Sequence, residues 1–482
     1  MSRVTSPIHT DLYIGGSWRK ASSGERIQVL DPASGAVFAE VASAGVEDGL
    51  SAVASAAEAL PAWSRTAPRE RAEILRRTFD LMTKRQQSLA ELIVRENGKA
   101  MSDAVAEVRY AAEFFRWYAE EAVRAIGEVS RAPSGANRIL VLMQPIGVSV
   151  LITPWNFPAA MATRKIGPAL AAGCTVVLKP ASDTPLTALA IAAVLEEAGV
   201  PAGVVNVIPS ARSGKVVGAM LHDPRVRKLS FTGSTEVGRV LLAQASDCVV
   251  SSSMELGGNA PFLVFDDADV EAAVAGAMIA KMRNGGQACT AANRFLVQKG
   301  IAPAFVQRFT EAMRAVKIGN GLESGVGLGP LINAAAVNSV QELVDETIGA
   351  GARALTGGRR LDGHGYFYPP TVLDRVPRSA RILTQEIFGP VAPIVEFGDE
   401  DEAIELANDT EYGLISYLYT GDLRRGLRVA ERLEAGMVGL NRGVVSDPAA
   451  PFGGVKQSGL GREGAHDGLL EFLEKKYVAV EW

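Results

Sequence analysis

Two stretches of this chain put reactive side chains on glycine-rich backbone. Asn284-Gly285-Gly286-Gln287-Ala288-Cys289-Thr290 sets a thiol just after an amphipathic run at 270–283. Paired glycines release a helix and let the backbone approach a ligand. Met254-Glu255-Leu256-Gly257-Gly258-Asn259 sets one carboxylate beside two glycines, after an apolar strand. A thiol and a carboxylate so presented suit covalent catalysis, with Cys289 as nucleophile and Glu255 as its base. By residue type alone, a lone cysteine is as readily a small buried hydrophobe. Both readings stand at this point.

Three further stretches have the right chemistry at the right kind of place. Thr153-Pro154-Trp155-Asn156-Phe157-Pro158 is a rigid loop after a strand. Asn156 there is a neutral amide donor, suited to an oxyanion hole or merely to capping the turn. Lys179-Pro180-Ala181-Ser182 ends another strand, where a lysine reaches ribose or phosphate, or only solvent. Phe231-Thr232-Gly233-Ser234-Thr235 follows a strand and opens a helix, so its N–H groups suit a pyrophosphate; an ordinary N-capped turn reads the same way. Gly459-Leu460-Gly461-Arg462-Glu463-Gly464 matches the dinucleotide G-x-G-x-x-G spacing. No strand is expected before it and no ribose-reading acid after it, so close backbone packing is the better use of those glycines.

These residues need a scaffold, and the periodicity supplies one. Residues 46–123 read as helices, with 70–97 close to helical period and Asn97-Gly98 as a stop. At 139–142 and 148–152 the pattern turns strand-like, with Pro145-Ile146-Gly147 between. Strands at 175–178, 204–208 and 228–231 then alternate with helices at 185–198, 214–222 and 235–245. Continuous apolar strands in strand–helix units predict a parallel, doubly wound sheet, which binds ligands beyond its carboxyl edge. After Cys289 the same grammar recurs, with strands at 295–297, 391–397 and 437–440 and helices at 304–316, 337–350 and 402–408. A second α/β domain is expected.

Composition narrows the class. At 482 residues the chain exceeds one ordinary core, so two or three domains are expected. Acids and bases are interspersed at a net charge of -5, which is no footprint for nucleic acid or membrane. The most apolar run, 139–153, is broken by Gln144, Pro145 and Gly147 and is too short to span a bilayer. Three cysteines give no disulfide framework, and the N-terminus shows no signal-peptide pattern; a reducing, cytoplasmic location is expected. Four scattered histidines form no ligand-spaced pair, so neither a metal site nor a Ser-His-Asp triad is expected.

Together the stretches resemble the aldehyde dehydrogenase superfamily. The pieces are Pro154-Trp155-Asn156-Phe157-Pro158, Lys179-Pro180, Phe231-Thr232-Gly233-Ser234, Met254-Glu255-Leu256-Gly257-Gly258, Gly286-Gln287-Ala288-Cys289, Glu386-Ile387-Phe388-Gly389-Pro390 and Pro451-Phe452-Gly453-Gly454. Around Ala159-Ala160-Met161-Ala162-Thr163-Arg164-Lys165 the chain is similar to succinate-semialdehyde dehydrogenases.

The resemblance implies a cofactor-binding domain from 1–123 and 145–256, an oligomerisation hairpin at 124–144, a catalytic domain at 257–457, and a return segment with a C-terminal oligomerisation strand at 458–482. It implies a homodimer or homotetramer acting on a small aldehyde. Cys289 attacks the aldehyde, Asn156 stabilises the oxyanion and Glu255 activates the hydrolytic water. NAD or NADP is expected along Thr153, Trp155, Lys179, Ser182, Gly233, Ser234, Glu386 and Phe388. Arg164, Arg283 and Ser446 match the carboxylate-binding set, so succinate semialdehyde is the expected substrate, with glutarate semialdehyde or a broader range as the alternative. An acyl transfer to coenzyme A would leave Glu255 without a task, and a non-catalytic member of the fold would not need an intact Cys289, Glu255 and Asn156.

Three departures qualify the pattern. Ser182 stands where NAD-specific relatives often carry a glutamate, which favours NADP. Ala291 stands where some relatives carry a second cysteine, and Cys174 and Cys248 read as core thiols, so no local disulfide switch is expected. Arg442 and Asp447 are charged where related sequences are small or neutral, which leaves the pocket's length open.

Overall fold

The computed structural model describes residues 8–481. It is an α/β structure organised around two mainly parallel sheets. In the first, strands Val205–Val207, Thr175–Lys179, Val148–Ile152, Val226–Thr232 and Ser251–Glu255 run parallel in that order. Short antiparallel strands close both edges: Leu12–Ile14 and Ser17–Arg19 on one side, Gly459–Leu460 on the other. The central strands are buried on both faces, as continuous Val/Leu/Ile runs require when helices cover a parallel sheet.

The register decides where the site lies. Ile152 pairs with Lys179 and with Phe231, and Thr232 pairs with Glu255. Four strands therefore end level, and the loops carrying Asn156, Ser182, Ser234 and Glu255 leave from one edge.

The second sheet orders Thr371–Asp374, Val391–Phe397, Ala292–Gln298, Ala260–Val264, Ile415–Tyr419 and Met437–Leu440 in parallel, with Arg353–Thr356 antiparallel at its edge. A third, antiparallel sheet joins Glu128–Arg131, Arg138–Pro145 and Leu473–Val480.

Helices at Val46–Trp63, Pro68–Lys84, Gln86–Asn97 and Met101–Glu121 fill the first helical stretch. The 70–97 period is interrupted at Arg85, whose φ of -98° and ψ of 11° end one helix and start the next. Gly98 then stops the chain at φ +89°, a conformation only glycine takes freely. The helix Pro158–Ala172, which follows the Asn156 loop, is buried along its whole length. Its first N–H groups, on Ala159 and Ala160, are taken up by the Glu107 carboxylate, which also pairs with the buried Lys99. Breaking such a buried pair by removing one partner typically costs about 3–5 kcal/mol.

Cys174 is buried, its Sγ 3.3 Å from the Phe472 carbonyl oxygen. Cys248 corrects the expectation of a second core thiol: it is exposed. Strand Ser251–Glu255 begins only after the left-handed Val249, so Cys248 sits in the turn before it. No helix among the described residues is long and apolar enough to cross a membrane, and no group of three His, Cys, Asp or Glu is arranged to hold a metal ion.

Candidate active site

Cys289 owes its position to three consecutive left-handed residues. Helix Val270–Met282 ends, and Asn284, Gly285 and Gly286 then have φ of 52°, 62° and 77°. A methyl at Gly286 would lie 2.2 Å from the Gly389 carbonyl oxygen, so only glycine lets this loop reach the Phe388 segment. Asp103 holds the loop through the Asn284 N–H at 2.9 Å.

Asn156 is clamped from both sides. Its carbonyl oxygen accepts from Lys99 Nζ at 2.7 Å and from Asn284 Nδ2 at 2.8 Å. Its own Nδ2 donates to the Gln287 carbonyl at 3.2 Å, which sets the amide beside the cysteine loop. Trp155, Asn156, Gly233, Ser234, Cys289, Glu386 and Phe388 line one cavity of about 230 Å³. Trp155 and Phe388 meet edge to face at 5.3 Å. Phe388 has a φ of 51°, a strained conformation of the kind retained beside functional groups.

A second cavity of about 300 Å³ adjoins the first, and the two share Trp155, Gly233 and Ser234. Thr153, Lys179, Ser182 and Asp183 line its far part with the apolar Val217 and Leu241. At the junction, a methyl on Gly233 would fall 2.4 Å from the Phe231 ring, so the wall there is bare backbone. Ser234 caps the helix Thr235–Ser246 through the Val237 N–H, and helix N-termini favour anions. A long trough with a lysine and serine at one end, a helix start midway and a carboxylate and thiol at the other fits a nicotinamide dinucleotide.

The charges around the thiol are strongly perturbed. Burial pushes Cys289 up to about 12; Arg164 and Arg283 pull it down, while Glu386 and Glu255 push it up. The free protein should therefore be alkylated slowly by iodoacetamide at neutral pH and faster as pH rises and thiolate accumulates. Following the Cys289 peptide by mass, separately from exposed Cys248, tests this; a rate independent of pH between about 7 and 10 would contradict it.

Glu255 is buried and its Oε2 has no hydrogen-bond partner among the described residues. Burial raises its pKa well above the carboxylate range, the Glu463 charge adds to this, and Arg164 and Lys165 oppose it. Glu255 does not line the cavity holding Cys289; it stands behind Leu256 and Gly257, which do. Glu463 pairs with both Arg164 and Lys165. Glu463 as a neighbour of Glu255 escapes motif reading, although a charged residue inside the glycine-rich 459–464 stretch is the signal that marks it. Glycine there does serve packing: a methyl on Gly459 would sit 1.9 Å from the Met254 carbonyl oxygen.

Arg164 is buried, with its guanidinium 4.0 Å from the Phe452 ring centroid, and its Nη2 finds no hydrogen-bond partner among the described residues. Arg283 is half-buried, 4.8 Å over the Phe157 ring, with Nη1 3.4 Å from Ser446 Oγ. Both arginines act electrostatically on Cys289. Arg442 turns back to the Val444 carbonyl and Asp447 accepts from the Ala449 N–H, both exposed.

Lys179 is pushed down to about 8 by burial, with Asp183 opposing the shift. Glu386 is pushed up to about 8 by burial, and its Oε1 accepts from the Gly258 N–H at 3.3 Å.

The aldehyde dehydrogenase family profile matches residues 18–478. A succinate-semialdehyde dehydrogenase of Paenarthrobacter nicotinovorans is 55% identical over 92% of this chain and 99% of its own length. A glutarate-semialdehyde dehydrogenase of Pseudomonas aeruginosa is 50% identical over 97% of each chain. The crystal structure of an E. coli NADP-dependent enzyme superposes with a TM-score of 0.97 at 48% identity, covering 98% of both chains. With the thiol, the amide and the two-part trough in the family's order along the chain, the match is to the whole architecture: this chain belongs to the aldehyde dehydrogenase family.

Proposed function

We propose that this chain oxidises an aldehyde carrying a carboxylate at its far end, succinate semialdehyde first and glutarate semialdehyde next. The observation that carries the reading is the arginine pair: Arg164 and Arg283 both act on Cys289, and Arg164 Nη2 is a buried donor without a hydrogen-bond partner among the described residues. Buried charged donors are retained where an anion satisfies them. The names of both semialdehyde dehydrogenases among the relatives point the same way.

Cys289, as thiolate, attacks the carbonyl carbon. The resulting oxyanion is stabilised by the Asn156 amide and the Cys289 N–H, each donor contributing about 3–4 kcal/mol in comparable sites. A nicotinamide bound beside Phe388 and Glu386 would supply the hydride acceptor, and Cys289 would then hold the acyl group as a thioester. Glu255 then takes a proton from the water that releases the acid. Lys179 and Ser182 are assigned the adenosine ribose, Ser234 the pyrophosphate and Glu386 the nicotinamide ribose. Steady-state rates on succinate semialdehyde and on butanal, which lacks the carboxylate, test the substrate reading; equal kcat/KM would reject it.

Both cofactors are expected to serve, with NADP weakly preferred. Ser182 and Lys179 can receive a 2′-phosphate. Asp183, held by Asn333 Nδ2 at 3.4 Å on the same wall, opposes one, and reading Ser182 alone misses it. Ser182→Glu should raise KM for NADP by about tenfold or more through like-charge repulsion and leave NAD nearly unchanged. An NADP constant that does not move would remove Ser182 from the site.

The proposed setting is a homo-oligomer in the cytoplasm. The antiparallel third sheet exposes Val129 and Tyr477, 74% and 60% accessible, which suits burial against a second copy in a dimer or tetramer. Free thiols throughout suit the reducing cytoplasm.

A further inference from the structure

We propose that Lys281 is a positioning residue for the cofactor end of the site: through Asn293 it pins the Gly257-Gly258 peptide that holds Glu386, and its charge faces that carboxylate. The inference rests on the reading of Glu386 as the carboxylate for the nicotinamide ribose.

The contacts form an unbroken relay. Lys281 lies in the last turn of the helix that leads to the cysteine loop, and it is wholly buried. Its Nζ donates to Asn293 Oδ1 at 3.2 Å. Asn293, also buried, donates from Nδ2 to the Gly258 carbonyl at 3.4 Å. The Gly258 N–H donates to Glu386 Oε1 at 3.3 Å. This peptide also abuts the nucleophile's own backbone: a methyl on Gly258 would lie 2.5 Å from the Cys289 carbonyl oxygen, and one on Gly257 would lie 3.1 Å from Glu386 Oε2. Lys281 therefore anchors the strip of backbone between the thiol and the carboxylate.

A fully buried lysine is costly, and an apolar side chain would fill the space without that cost. A charge opposite Glu386 gives the lysine a purpose that packing does not. The charge of Glu236 also disfavours the ionised form of Glu386, and Glu386 adds negative potential at Cys289 and Tyr412. Burial pushes Lys281 down to about 7, with Glu386 opposing, while burial pushes Glu386 up to about 8. The lysine's charge opposes the upward shift of Glu386, so losing it drives Glu386 further toward its protonated form.

The test is direct cofactor binding to the full chain without aldehyde, read as quenching of intrinsic tryptophan fluorescence by NAD and NADP between about pH 6 and 9.5. Lys281→Met removes both relay and charge. Asn293→Ser cuts the relay and keeps the charge, and it carries the test if the first variant fails to fold. Both should weaken binding by about tenfold, the value of a hydrogen bond to a charged group. Lys281→Met alone should also move the pH midpoint of binding upward, which a merely structural lysine would not do. Unchanged affinity in either variant, or weaker binding by Lys281→Met at an unmoved midpoint, would overturn the proposal. Glu386→Gln separates the underlying reading: if it binds both cofactors as the unaltered chain does, the assignment of Glu386 fails, and this proposal with it.

Discussion

Cys289→Ala should abolish aldehyde oxidation, lowering kcat by at least about 10⁴-fold, because no other group can hold the acyl chain between the two half-reactions. Cofactor binding should persist, since the cavity lined by Lys179, Ser182 and Ser234 does not include the thiol. Glu255→Gln should act differently. One equivalent of reduced nicotinamide should appear in a burst, followed by turnover slowed by about 10²–10⁴-fold, the usual contribution of a general base. The raised pKa of Glu255 gives this step a sign. Its basic form grows as pH rises, so in the unaltered protein the hydrolytic step should accelerate with pH. Rapid-mixing absorbance measurements decide both: oxidation by Cys289→Ala at the normal rate, or a Glu255→Gln protein with no burst and normal turnover, would reverse the assignment of nucleophile and base.

Arg283→Ala should cost about 2–5 kcal/mol in kcat/KM for succinate semialdehyde, as expected when a charged partner is removed from a desolvated anion. Butanal should be turned over almost as before, because it has no carboxylate to lose. The contrast between the two aldehydes isolates charge recognition from general damage. Arg283 is the better probe of the pair, because Arg164 is also tied to Glu463 and its loss would leave that buried carboxylate, near Glu255, with Lys165 alone. An Arg283→Ala protein that still favours succinate semialdehyde by the same factor would remove this arginine from the pocket. Glutarate semialdehyde in the same series reports pocket length; Ser446 touches Arg283, while Arg442 and Asp447 are turned outward.

What could be read from the chain itself follows a physical division. Cys289, Asn156, Lys179 and Ser234 are legible because each sits next to a local signal: glycines, prolines or the end of an apolar strand. The alternating strands of the first sheet are legible for the same reason, since burial on both faces leaves continuous apolar runs. Partners brought together across long sequence separation leave no such local trace. Lys165 meets Glu463 at a separation of 298 residues, and Asn259 Nδ2 meets the Leu383 carbonyl at 124. Asp183 is hidden by its more informative neighbour Ser182. The helix Leu423–Arg432 buries only Gly426 and Val429 and is tied down by arginines to Glu400, Asp401, Asp266 and Asp267, so apolar period misses it. Cys248 shows the opposite error: its apolar neighbours suggest a strand, but the chain turns at Val249 before one begins.

The pairing of Gly459–Leu460 with the end of the Glu255 strand bears on how the enzyme is made. Glu255 and Lys165 leave the ribosome long before Glu463 and the edge strand that completes their surroundings. At about 5–20 residues per second, the 298 residues between Lys165 and Glu463 take roughly 15–60 s to synthesise. From the synthesis of Cys289 to that of Glu463, 174 residues or roughly 9–35 s, Cys289 and Asn156 exist without the Glu463 ion pairs beside Glu255. A chain arrested or clipped before residue 459 should therefore carry a thiol able to be acylated and no competent means of release. Residues 459–463 thus tie the surroundings of Glu255 to a part of the chain made well after the thiol.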